Sequence, residues 1–207
     1  MAPTTAPLRQ RCDDGAVSTV VVFHHALGLT PGVAQFAGAL REAGHDVHTP
    51  DLFDGQTFDS VEAGVAHAST IGFGEIARRG TSSLDALELG AEPVVVVGFS
   101  LGVLPAQRLA QTDSRVSAAV LCHSCVPLGE FGDAWPDDVS LQIHAMEEDP
   151  LFLDEGDMDA ALDLIGSVAD AELFLYPGEQ HLFADASLPS HDAGATAQLI
   201  ERTLDVL

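Results

Sequence analysis

Residues 94–102 read VVVVGFSLG, a run of four valines that breaks into Gly98-Phe99-Ser100-Leu101-Gly102. Consecutive β-branched residues with no polar alternation describe a strand buried on both faces, as in a parallel sheet covered by helices. The G-x-S-x-G pattern that follows predicts a sharp strand-to-helix turn that lifts Ser100 above the sheet edge. Glycine is needed at both flanking positions because strand and helix approach too closely there for a Cβ atom. An amphipathic helix from Leu101 to about Gln111 continues the unit. Pro105 falls inside it, removes a hydrogen bond to the Leu101 carbonyl and predicts a loosened first turn. The competing reading makes Ser100 a plain helix N-cap.

Working outward, STVVVFHH from Ser18 is the first secure strand. The turn HHALGLTPG follows, with Thr30 as N-cap and Pro31 as first residue of a helix that runs to about Ala43 and ends at Gly44. DVHTP is a second strand, Asp51–Phe58 a loop, and Val61 to about Leu89 mostly helix, interrupted near Gly72–Gly74 and at Gly80. Beyond the elbow come strands VSAAVLC and SLQIHAM, a helix from Met158 to Ala169, strand AELFLYP and a last helix from Ala193. Residues 1–16 lack periodicity and read as a tail or weak edge strand, leaving 17–207 as a single domain. Alternating strands and helices joined by right-handed crossovers give an α/β fold: a mostly parallel central sheet with helices on both faces.

The apolar fraction of 46% supports one well-filled core. Against 32 acidic residues stand 8 arginines and no lysine, a formal charge of -24. Nucleic-acid binding needs a basic patch and anionic membranes repel such a surface, so neither is an expected partner. The acidity fits either an ordinary solvated surface or adaptation to high salt. Cys12, Cys122 and Cys125 form an odd set behind an N-terminus without a signal segment, which predicts a reduced, cytoplasmic protein. Cys122-His123-Ser124-Cys125 has C-x-x-C spacing, but no second ligand pair accompanies it, so plain thiols and no metal are expected. The sequence leaves the oligomeric state open.

A serine hydroxyl needs a histidine within reach and a carboxylate to fix that histidine's tautomer. In folds built on this elbow the chain order is Ser, acid, His. Four histidines follow Ser100. His144 is strand-internal, His123 precedes every suitable acid, and His191 lies near the start of the last helix. His181, in the glycine-containing loop YPGEQHLF after a strand, fits best. For the acid, SLQIHAM runs into Glu147, Glu148 and Asp149 before Pro150; the residue before proline favours extended backbone, which aims Asp149 inward. Glu147, Glu148, Asp154 and Asp157 are the alternatives. Two backbone N–H groups should receive the oxyanion, that of Leu101 and that of Ala26 in the turn after the first strand. His24 and His25 flank that turn and read as structural or solvent-facing, with substrate contact as the alternative.

The segments HHALG, TPDLF, GFSLG, EEDPLF and YPGEQHLF together resemble the dienelactone hydrolase family of the α/β-hydrolase superfamily, over nearly the whole chain from Ser18. The resemblance implies the α/β-hydrolase fold, a triad mapping onto Ser100, Asp149 and His181, and no metal or organic cofactor. Where the family's named member has cysteine, this chain has Ser100, which favours ordinary carboxylesters over dienelactone. A glutamate that members carry in the early loop is replaced by His25, and Arg78 and Arg79 are candidates for the family's carboxylate-holding arginines. The expected activity is cleavage of an ester, lactone or thioester of a small molecule. Thioesterase or perhydrolase chemistry and a catalytically silent binding protein are the alternatives.

Overall fold

The four-valine run becomes β3 (Val94–Phe99), buried at every residue. The computed structural model describes residues 17–89 and 93–207, and the tail at 1–16, with Cys12, lies outside the described residues. Around β3 the other strands are β1 (Thr19–Phe23), β2 (Asp46–His48), β4 (Val116–Cys122), β5 (Ser140–Met146) and β6 (Ala171–Tyr176), in spatial order β2-β1-β3-β4-β5-β6. All neighbours pair in parallel. The chain steps outward from β1 to β2, then crosses back to β3 on the other side of β1. The winding therefore reverses between β1 and β3, and in open α/β sheets ligands bind outside the carboxyl ends of the strands at such a switch point.

Helices cover both faces, each apolar layer taking alternate strand residues. α1 (Pro31–Glu42) and α7 (Ala193–Leu204) pack on Val20, Val22, Val97 and Phe99 through Phe36, Leu40 and Leu199. On the other face, α2 (Val61–Ile71), α3 (Phe73–Asp85), α4 (Val103–Thr112), α5 (Pro150–Asp154) and α6 (Asp157–Ser167) meet Val21, Phe23 and Val96 with Ala68, Ile76, Leu109, Phe152 and Leu164. Among the described residues no helix is long and apolar enough to cross a membrane.

Local chemistry sets the boundaries. The Thr30 side chain accepts from the Val33 N–H and Pro31 opens α1, while Gly44 follows its end at φ +103°. The expected long helix after the Asp51–Phe58 loop divides once, at Gly72, whose φ of +95° suits glycine alone. The expected break at Gly80 is absent. That residue lies inside α3, where a Cβ would come within 2.2 Å of Pro105 Cβ. It is a contact point between helices. Pro105 also sits more comfortably than its sequence position suggests. Residues 100–102 form a 3₁₀ turn and α4 begins only at Val103. Pro105 thus falls in the first turn of α4, where N–H groups have no helical acceptor to lose. The short helix α5, directly after Asp149, has no counterpart in the sequence reading.

Candidate active site

Ser100 closes β3 with φ +47°, left-handed backbone that non-glycine residues seldom adopt. The turn is held by two glycine contacts. A Cβ on Gly98 would lie 2.5 Å from the Gly102 carbonyl oxygen, and one on Gly102 would lie 2.4 Å from that of Phe23 and 2.8 Å from that of His24. The elbow thus closes on itself and against the end of β1, so the serine emerges at the switch point of the sheet.

Two further loops leave neighbouring strands at the same edge. After β5, the Glu147 N–H donates to the Tyr176 carbonyl at 2.8 Å and the Glu148 N–H to the Gly178 carbonyl at 2.9 Å, fastening this loop to the one after β6. Held so, Glu147 and Glu148 are exposed and the Asp149 side chain is fully buried. Asp149 is also the N-cap of α5, one carboxylate oxygen accepting from the Leu151 N–H at 3.0 Å. Its other oxygen lies 2.7 Å from His181 Nδ1, and His181 Nε2 lies 3.1 Å from Ser100 Oγ. A carboxylate can only accept, so Nδ1 carries the proton and Nε2 is left to accept from the serine hydroxyl.

The turn between β1 and α1 lies beside the elbow. His24 and His25 are both fully buried, so the solvent-facing alternative does not hold. The Leu52 N–H donates to His24 Nε2 at 2.9 Å, which makes Nδ1 the donor to the His25 carbonyl at 2.8 Å. Burial lowers the His24 pKa to about 4, so the ring is neutral and structural. The Ala26 N–H has no acceptor among the described residues, whereas the peptide after it is fixed: a Cβ on Gly64 of α2 would lie 1.9 Å from the Ala26 carbonyl oxygen. Leu101 is second in the 3₁₀ turn, where its N–H has no helical acceptor.

The other candidates fall elsewhere. Asp154 is exposed, and Asp157, half-buried at the start of α6, bonds to Ser124 and the Cys125 backbone, with burial raising its pKa. His144 lies inside β5, bonded to the Tyr176 hydroxyl and stacked on Phe174. His191 is half-buried just ahead of α7. Arg78 is engaged by Glu75, and Arg79 by the Leu52 carbonyl and Asp54, so both guanidiniums bind within the protein. Cys122 and Cys125 are buried free thiols whose pKa values burial pushes up. Two features escaped the sequence reading. His123 lies under His181, ring centroids 5.7 Å apart, with φ +69° and no partner among the described residues for either ring nitrogen. Asp185, fully buried, is bonded to His25. Only the acid itself, in HLFADAS, could have signalled the second.

The dienelactone hydrolase family model matches residues 10–207. The chain belongs to the dienelactone hydrolase family. A dienelactone hydrolase-like promiscuous phosphotriesterase from metagenomic libraries is 27% identical with a TM-score of 0.75, aligning over 94% of this chain and 88% of its own. A cold-adapted esterase from an Arctic intertidal metagenomic library shares the fold at 16% identity and TM-score 0.63, over 92% and 82%. Tomato methylketone synthase I does so at 15% and 0.61, over 92% and 98%. No curated protein sequence matches significantly. Membership in the dienelactone hydrolase family supports a hydrolase of ester-type substrates, on the α/β-hydrolase fold that the sheet order describes.

Proposed function

We propose that this dienelactone hydrolase family member cleaves a carboxylic ester, lactone or thioester of a small molecule by acyl transfer through Ser100. The observation that carries the reading is the unbroken hydrogen-bond chain from Ser100 Oγ through His181 to Asp149, at 3.1 and 2.7 Å. Ser100 Oγ attacks the carbonyl carbon as His181 Nε2 takes its proton, and Asp149 holds the imidazole and stabilises its charged form. The Ala26 and Leu101 N–H groups receive the oxyanion. Collapse expels the alkoxide or thiolate, which takes the proton from His181. Water, deprotonated by His181, then attacks the acyl-enzyme and frees Ser100.

The test is a fluorophosphonate label with the adduct located by mass spectrometry, beside turnover of short p-nitrophenyl esters. The expected result is one adduct on Ser100 and a fall in kcat of about 10⁴-fold or more in Ser100→Ala. No adduct, with equal rates for the two proteins, would overturn the reading and leave a binding protein. The phosphotriesterase relative makes an organophosphate triester the second substrate to try.

A further inference from the structure

Rings and carboxylates at the sheet edge form a second hydrogen-bonded pair beside the Asp149–His181 pair, and no step of the proposed reaction uses it. His25 Nδ1 accepts from the Leu27 N–H at 3.2 Å, so Nε2 bears the proton and donates to Asp185 at 2.7 Å. Both side chains are almost wholly excluded from solvent, 1% and 2% exposed. Asp185 also accepts from the Thr30 hydroxyl, the Ser187 N–H and the Ser187 hydroxyl. These donors outweigh burial and hold its carboxyl well below the usual carboxylate range. Gly32, in the first turn of α1, makes room for it, since a Cβ there would overlap Asp185 Oδ1 at 1.7 Å. The carboxylate therefore faces the positive end of a 12-residue helix.

The placement of this pair along the chain gives it meaning. Asp185 lies four residues after His181, and its N–H donates to the Leu182 carbonyl at 3.1 Å, where Leu182 has φ +61°. His25 immediately precedes Ala26, and its ring grips the far side of the same residue through the Leu27 N–H. One buried carboxylate thus ties the turn that carries the Ala26 N–H to the loop that carries the base, across 160 positions of sequence.

We infer that His25 and Asp185 are positioning residues that set the Ala26 N–H against the transition state and hold it in register with His181. The inference rests on the acyl-transfer reading above. Neither residue touches substrate. The pair pre-orders the donor, and a donor already in place at the moment of reaction stabilises developing charge without reorganisation. A loosened turn should weaken stabilisation of the tetrahedral oxyanion and leave ground-state binding unchanged, which separates kcat from KM.

The test uses four variants of the full chain, each first shown to be folded by near-ultraviolet dichroism and a cooperative melt. His25→Leu removes both ties and Asp185→Asn weakens the buried one. His25→Gln can still donate to Asp185, and His25→Asn can still accept from Leu27. In p-nitrophenyl ester hydrolysis kcat should fall about 10²-fold in His25→Leu and Asp185→Asn, with KM within threefold. Affinity for an alkyl boronic acid, which forms a tetrahedral adduct on the serine, should fall in parallel. The pH–rate profile should keep its midpoint, because His181 and Asp149 are untouched, and His25→Gln should recover about tenfold over His25→Leu. If His25→Leu does not fold, the Gln and Asn variants carry the comparison, Gln being the more active. Lower melting temperatures with kcat and boronate affinity unchanged would overturn the inference and leave a purely structural pair. A wild-type protein with no esterase activity and no Ser100 adduct would instead sink the acyl-transfer reading.

Discussion

Ser100 is held in left-handed backbone at φ +47°, a conformation that costs a serine about 1–3 kcal/mol and persists because β3, α4 and β1 leave the turn no alternative. Around it, single atoms separate residues that look alike in the sequence. Glu147, Glu148 and Asp149 are consecutive carboxylates, yet only the third turns inward, because the backbone of the first two is fastened to the loop after β6. Asp149→Asn keeps the size but can present an N–H to His181 Nδ1, favouring the tautomer that cannot accept the serine proton. It should lower kcat about 10³- to 10⁴-fold. Glu148→Gln, one residue away and exposed, should stay within twofold of wild type. Steady-state hydrolysis of p-nitrophenyl acetate by the two variants checks this, and equal losses in both would remove Asp149 from its proposed role.

Between elements, what sequence could show and what it could not divide along a physical line. The elbow helix, the N-cap at Thr30 and the succession of strands and helices along the chain are legible because each depends on residues close in the chain: a valine run, a Thr-Pro pair, glycines two positions either side of a serine. Chain order and strand-end position single out Ser100, Asp149 and His181 as candidates, and the structure places their side chains in one hydrogen-bonded line. Gly80 looks like a helix break in the sequence because the reason for its glycine lies 25 positions away, at Pro105 on α4. His25–Asp185 was invisible for the same cause, since nothing local announces a bond across 160 positions. The α3–α4 contact gives a direct test. Gly38, inside α1, has open space where a Cβ would go, so Gly38→Ala should stabilise by about 0.5–1 kcal/mol through helix propensity. Gly80→Ala gains the same propensity but must displace Pro105 and the Phe23 ring, an overpacking that costs about 1–3 kcal/mol. Its melting temperature should fall by a few degrees while that of Gly38→Ala rises. A rise in both would show that the two helices can separate freely.

For the molecule as a whole, the acid side of the stability curve is set by histidines as much as by the -24 charge. Burial holds His24 at about 4 and His144 at about 3, and drives His123 well below its ordinary value. In the unfolded chain such groups titrate near pH 6.5. Below that pH the unfolded state takes up protons that the native state refuses, so their contribution is fully present above about 6.5 and is lost on acidification toward the folded values. Each such group contributes up to about 1.4 kcal/mol per pH unit. Acidification also relieves repulsion among the carboxylates, which favours the compact state, but acidic side chains take up few protons above pH 5. Between pH 6.5 and 5 the buried rings should therefore dominate. Surface repulsion is screened by salt, whereas protonation of buried rings is screened much less. Urea unfolding at pH 7, 6 and 5, in 0.05 and 0.5 M sodium chloride (about 14 and 4 Å of Debye length), should show stability falling with pH at both concentrations, from a higher starting value in the saltier buffer. A stability that instead rises from pH 7 to 5 at low salt and is flat at high salt would mean that surface charge governs, and that the buried histidines are protonated at little cost.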